Sequence, residues 1–219
     1  MWVKSVPLYG IDGMKNSITD KSNLIIIGSV GLGALLAYQF DNDIQDYAQS
    51  EGLLPDRLSQ FGDLYGNFWS AWLLPVSVII TSQLEDNTNR ELLEKLEFTA
   101  SALVANVVTT IIVKNIIDRE RPNKSDKESM PSGHTSQSFT VAAVADELYG
   151  HKVGTTAYLI AGLVAVSRIN DNKHYLSYVI VGAGLGTIIG RGFAKTYHDK
   201  KATPIISFNS NGLKLEIVF

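Results

Sequence analysis

Three short segments between residues 114 and 174 carry side chains of the kinds that handle phosphate. The first is Lys114 with Arg121-Pro122 seven residues on. The second is Pro131-Ser132-Gly133-His134. The third is Ser167-Arg168 followed by His174. They supply three fixed cations, two histidines and a small-residue turn, an inventory suited to gripping an oxyanion and transferring it through a histidine. Lys114 and Arg121 are spaced by almost two helical turns, which predicts that both project from one face of one helix. Two cations on an apolar helix face are costly unless an anion meets them, although a lysine and an arginine snorkelling at a membrane edge use the same residues. Pro122 ends that helix. Ser132 is a good N-cap, Gly133 lets backbone approach a ligand closely, and N–H groups at a helix start attract phosphate. His134 sits within reach of whatever binds there. Arg168 closes one helix and His174 opens the next, so a short linker brings a third cation and a second histidine to the same end.

The elements that position these residues are apolar. The 219-residue chain is long enough for one domain with a sizeable core, and residues 1–219 read as a single domain. Ser22–Phe40 and Leu64–Leu84 are free of charge and each approaches the length that spans a bilayer. Phe98–Val113, Val153–Ser167 and Tyr175–Gly190 are shorter uncharged runs. The expectation is a membrane-embedded helical protein, with a soluble bundle of buried helices as the alternative. The net charge of -3, with no basic stripe, excludes a nucleic-acid partner by composition. The absence of cysteine excludes disulfides and thiolate metal sites. The N-terminus does not read as a signal peptide, because its first apolar run begins only at Leu24.

Residues 1–22 read as a polar, surface-lying segment broken by Pro7, Gly10 and Gly13. Six helices follow, over about 23–40, 66–83, 85–120, 133–149, 153–169 and 174–196. Pro75 lies inside the second. Residues 41–63 read as an acidic loop with a short helix, and 122–131 as a polar loop. The tail, residues 203–219, alternates apolar and polar residues on either side of Asn211-Gly212, which predicts a short β-hairpin. If all six helices span, the basic residues place both termini in the cytoplasm and the three motif segments on the outer side.

With these residues in hand, the chain resembles the type 2 phosphatidic acid phosphatase (PAP2) superfamily, which includes bacterial acid phosphatases and vanadium haloperoxidases. The family pattern is K-x6-R-P, P-S-G-H and S-R-x5-H-x3-D, and the likeness covers about residues 60–195. The resemblance implies an all-α fold with a six-helix core, and hydrolysis of a phosphate ester with no metal and no cofactor. It implies that His174 is the nucleophile, forming a phosphohistidine, and that His134 is the general acid and then base. Lys114, Arg121, Ser132, Gly133 and Arg168 would hold the phosphate oxygens. The implied substrate is a phosphate monoester or pyrophosphate, most naturally of a membrane lipid, in a bacterial-type inner membrane with the site on the periplasmic face. A soluble periplasmic acid phosphatase and a haloperoxidase share the pocket.

One position departs. Where the family has an aspartate four residues after the nucleophile, this chain has Tyr178. The aspartate takes the proton on the far ring nitrogen and stabilises the cationic histidine. A phenol brings no charge, and turnover is expected to fall by roughly two to four decades. That leaves a catalytically impaired phosphate-binding relative as a second reading, with Asp171 as a possible substitute close in sequence.

Overall fold

The computed structural model describes residues 5–202, 205–209 and 212–216. Its helices are α1 (Ser5–Thr19), α2 (Lys21–Tyr38), α3 (Asp41–Glu51), α4 (Asp56–Leu64), α5 (Ser70–Leu84), α6 (Asn89–Ile117), α7 (Gly133–Tyr149), α8 (His151–Asn170) and α9 (Leu176–Ala202), with a π-helical turn over Tyr65–Trp69 joining α4 to α5. Local signals start them. The Asp20 carboxylate accepts from the N–H groups of Ser22 and Asn23 to cap α2, and Thr88 with Glu91 forms a capping box at α6.

α7 is the buried axis, packed between α8 and α9. α9 meets it through Gly182, Gly186 and Gly190, one residue per turn. A Cβ at Gly182 would lie 2.7 Å from the Ser132 carbonyl, and side chains at the other two would collide with Ser136 and Ala143. This small-residue stripe lets two backbones approach, and it sets the distance between the start of α7 and the start of α9. Below the site the core is apolar, built on Phe98, Val144, Ile189 and Phe193, with Phe98 stacked on Tyr197 at 4.9 Å.

Among the described residues, four helices, Lys21–Tyr38, Asn89–Ile117, His151–Asn170 and Leu176–Lys200, are long and apolar enough to cross a membrane, and Asp56–Asn67 with Ser70–Leu84 forms a fifth candidate bent by 67°. Their outward residues are apolar too, including Leu32 and Leu35 on α2 and Val108, Ile112 and Ile116 on α6. An exposed apolar surface of this extent marks contact with lipid.

Three expectations about elements change. Residues 5–19 form a helix despite two glycines, because Gly13 lies flat against the Phe193 ring, where a Cβ would come within 2.6 Å, and packing outweighs propensity. Residues 41–63 hold two helices; Asp41 and Asp43 favour the first turn of α3, and Pro55 precedes α4. α6 stops at Ile117 rather than near residue 120, because Asp118 caps it in the left-handed conformation at φ 47°. In the tail, Ile205–Asn209 pairs antiparallel with Gly212–Glu216, Ile206 opposite Leu215; Ser210 and Asn211 lie outside the described residues.

Candidate active site

The early end of α6 changes how its two cations meet. Lys114 stays in the last turn, while Arg121 belongs to the loop over residues 118–132, so the pair does not share a helix face. The loop brings them together by folding back on itself. Arg121 N–H donates to the Asp126 carbonyl at 3.0 Å and Ser129 N–H to the Arg119 carbonyl at 2.9 Å. Lys114 Nζ donates to the Glu128 carbonyl at 2.7 Å, and Arg121 Nε pairs with Asp126 at 2.7 Å.

Ser132 stands at the N-cap position of α7, fully buried, but its side chain caps nothing; its oxygen accepts from Thr135 Oγ1 at 2.9 Å. Ser132 N–H donates to the Tyr178 carbonyl at 3.2 Å, which ties the start of α7 to the start of α9. Lys114 passes close to Gly133, its Cε 3.9 Å from where a Cβ would stand. Beneath the turn lies a polar network. Asn106 donates to Gln137 at 3.0 Å, Ser136 donates to Asn106 at 2.5 Å, and Thr110 donates to Ser136. Such a network holds the first turn of α7 rigid.

Arg168 is almost wholly buried and reaches two carboxylates at 2.6 Å, Asp63 through Nη1 and Asp171 through Nη2. Its backbone carbonyl accepts from the N–H groups of Lys173 and His174, which closes the linker between α8 and α9. Asp171 is therefore committed to Arg168 and to the Ser59 hydroxyl, which donates to it at 2.5 Å.

The histidines differ in their partners. His174 is buried, and its Nδ1 lies 2.6 Å from the Ser129 carbonyl. A carbonyl only accepts, so Nδ1 carries the proton and Nε2 keeps its lone pair. His134 Nε2 lies 3.4 Å from Asp63 Oδ1. Burial, followed by the Arg121 charge, pushes His174 down to about 3. Burial, followed by the Arg168 charge and opposed by Asp63, pushes His134 down to about 4. Both rings are neutral near pH 7 with no anion bound. The charges of Lys114 and Arg121 bear on both rings, so the three segments converge on one place.

A family model described as "PAP2 superfamily" matches residues 94–202, which contain all three motif segments. The chain belongs to the PAP2 superfamily. A curated relative, the Lipid A 1-phosphatase of Porphyromonas gingivalis, is 35% identical over 75 residues, covering 33% of this chain and 17% of that protein. The chain thus matches only about a sixth of that relative's length. The crystal structure of Aquifex aeolicus LpxE shares the fold, with a TM-score of 0.54, covering 73% of this chain and 93% of that one at 22% identity.

Against the PAP2 pattern, the Nδ1 side of the His174 ring is met by the Ser129 carbonyl rather than by the side chain at position 178. His174 lies just before the first residue of α9, and Tyr178 lies in its first turn. The Tyr178 ring packs edge-on against Tyr175 at 5.3 Å and lines a separate cavity. Two members of the site lie outside the motifs. The Ser129 carbonyl is a backbone group, which residue types do not reveal. Asp63 had a signal in Gly62 and Gly66, four residues apart. A Cβ at Gly66 would come within 2.6 Å of Val164 and 3.0 Å of His134, and one at Gly62 would strike Ser167. Those two glycines press α4 onto α8 and carry Asp63 to Arg168.

Proposed function

We propose that this PAP2 protein is a metal-independent phosphatase acting on a phosphate monoester or pyrophosphate of a membrane lipid, through a phosphohistidine on His174. One observation carries the lipid substrate. A groove of about 480 Å³ runs along the membrane-facing side of α6, walled by Val104, Val107, Val108 and Ile111, and ends at Lys114, Gly133 and His134. It offers an apolar tail a path that finishes at the phosphate cations, which a site for water-soluble esters does not need. The name of the Porphyromonas gingivalis relative, Lipid A 1-phosphatase, points the same way.

In this reading the phosphoryl group sits among Lys114, Arg121, Arg168 and the N–H groups opening α7, which Ser132 leaves uncapped. His174 Nε2 attacks phosphorus, the ester P–O bond breaks, and His134 gives its proton to the leaving oxygen. His134 then takes a proton from water, whose oxygen attacks the phosphohistidine; the N–P bond breaks and inorganic phosphate leaves. Because burial and the nearby cations keep His134 neutral, its proton arrives with the substrate monoanion, whose second pKa is about 6. The Ser129 carbonyl performs half the work of the missing aspartate: it fixes the tautomer but adds no negative charge to the cationic phosphohistidine. Activity below that of an aspartate-bearing site follows. We place the site on the periplasmic face of a bacterial inner membrane, with α2 and α5–α9 as the six-helix core and the paired strands Ile205–Asn209 and Gly212–Glu216 as an appendage.

The test is phosphate release by detergent-purified protein from phosphatidic acid, a polyprenyl diphosphate and lipid A, with His174→Ala as the control. Release that His174→Ala abolishes is expected. Vanadate binding with no release from any of the three lipids refutes turnover and leaves the impaired phosphate-binding relative.

A further inference from the structure

Beyond Arg121 lies a second cavity, of about 310 Å³, that none of these steps uses. Tyr38, Arg119, Lys124, Tyr175 and Tyr178 line it together with Arg121, and Asp41 and Glu120 add carboxylates. One of the two acids is committed elsewhere. Asp41 is turned to the Ser177 N–H and hydroxyl, which it holds at the start of α9. Arg119 bonds the neutral Tyr38 hydroxyl at 3.1 Å with its guanidinium 5.5 Å over that ring. Lys124, exposed, is carried on a turn at φ 58°. Tyr38 ends α2, a candidate span, so the cavity opens at the level where lipid heads lie. Arg121 is common to this cavity and to the reaction site, since its charge bears on both histidines. A group seated here is therefore one arginine away from the reacting phosphate.

We propose that this cavity is a headgroup subsite for a phosphorylated sugar. A substrate's non-reacting phosphate lies on Arg119 and Lys124, its sugar ring lies against half-buried Tyr175, which the buried Tyr178 ring backs edge-on, and its reacting phosphate sits beyond Arg121. The Tyr175 ring suits the C–H face of a sugar, and the guanidinium and ammonium groups suit a second phosphate. A lipid with a single phosphate and no sugar leaves the cavity empty. Tyr178 then acquires a use of its own. With His174 held by the Ser129 carbonyl, position 178 is free to back the Tyr175 ring. The inference rests on the phosphatase reading for the place of the reacting phosphate, but not on turnover.

The experiment has a binding arm and a turnover arm. Full-length protein in detergent is titrated with glucose 1,6-bisphosphate and with glucose 1-phosphate, as wild type and as Arg119→Gln/Lys124→Gln. The wild type is expected to bind the bisphosphate at least about tenfold more tightly, the double variant to lose that advantage to within about twofold, and Tyr178→Phe to keep most of it. If the pair of substitutions unfolds the protein, the two single variants give the same reading. Equal affinity of the wild type for both sugars overturns the proposal, as does an advantage that survives the double substitution. In the turnover arm, bisphosphorylated and monophosphorylated lipid disaccharides are compared. Selective binding with no phosphate released from either lipid keeps the subsite and refutes the phosphatase reading. Equal turnover and equal binding of the two refutes the subsite alone.

Discussion

Replacing Asp63 by Asn separates two tasks that its carboxylate performs at once. Asp63 Oδ1 lies 2.6 Å from Arg168 Nη1 and 3.4 Å from His134 Nε2. Toward His134 it favours the protonated ring, against burial and three cations that disfavour it. A unit charge at that separation is worth about 1–5 kcal/mol across effective dielectrics of roughly 80 to 20. The Asp63 side chain is 53% exposed, so solvent screening puts the effect near the lower end, about 1–2 kcal/mol. That corresponds to about 5- to 30-fold in the step that needs the His134 proton. Toward Arg168 the same carboxylate competes with phosphate for Nη1, so its removal should tighten oxyanion binding. Asp63→Asn is therefore expected to lower kcat for an alkyl or lipid phosphate by about 5- to 30-fold. For p-nitrophenyl phosphate, whose leaving group needs no proton, kcat should change by less than about threefold. Vanadate inhibition should become stronger. The assay is steady-state hydrolysis of both esters by the same detergent preparations. An equal fall on both esters, or weaker vanadate inhibition, refutes the assignment of Asp63 to the proton and to Arg168.

Two further outcomes follow from the histidine contacts. Tyr178→Asp should raise turnover by no more than about 30-fold, because the tautomer is already set by Ser129 and only the difference between a neutral and a charged hydrogen bond, about 1–2 kcal/mol, remains to be gained. A gain of three decades in a phosphate-release assay would show that the Ser129 contact does not hold the ring. Both histidines are held below their unfolded value near 6.5, so below that pH the unfolded chain binds protons that the fold refuses. Stability is then full above about pH 6.5 and falls as pH drops toward about 4. Thermal unfolding at pH 7.5 and pH 4.5 should show a larger loss for wild type than for His134→Gln, and equal losses in the two proteins would contradict it.

Much of the site was legible because phosphate chemistry needs particular side chains in a fixed order. Lys114, Ser132, Gly133, His134, Arg168 and His174 announce themselves by type. What escaped reading was set by backbone and by packing. The left-handed turn at Asp118 moved Arg121 off its helix, and an aspartate in that conformation is uncommon enough that periodicity argued for continuation. Ser129 contributes a carbonyl, which every residue possesses. α1 forms where Gly10 and Gly13 predict a break, because the apolar face of α9 pays for it. Tyr178 is a gap in the motif by residue type, but the ring nitrogen that the motif aspartate would meet has the Ser129 carbonyl as its partner.

The protein's own contacts also explain how three cations persist at one end of an apolar bundle. Lys114, Arg121 and Arg168 each meet a carboxylate or carbonyl of the protein itself, namely Glu128, Asp126, and Asp63 with Asp171. In the proposed function, a phosphate entering the site exchanges these partners rather than neutralising bare charge, so its net gain is the difference between two sets of charge-assisted bonds. Such exchange keeps product phosphate from binding too tightly. It also gives the loop over residues 118–132 a direct part in each cycle. In the proposed reaction the Asp126 carboxylate must release Arg121 and the Glu128 carboxylate, 3.9 Å from Lys114, must turn aside for the oxyanion to enter, while the backbone carbonyls of Glu128 and Ser129, in the same loop, keep their hold on Lys114 and His174. The carboxylate side chains of Asp126 and Glu128 are exposed and can turn aside, whereas the Ser129 carbonyl is fixed by the backbone bond from its own N–H to Arg119. The division between movable side chains and a fixed carbonyl lets one short loop both yield to substrate and orient the nucleophile.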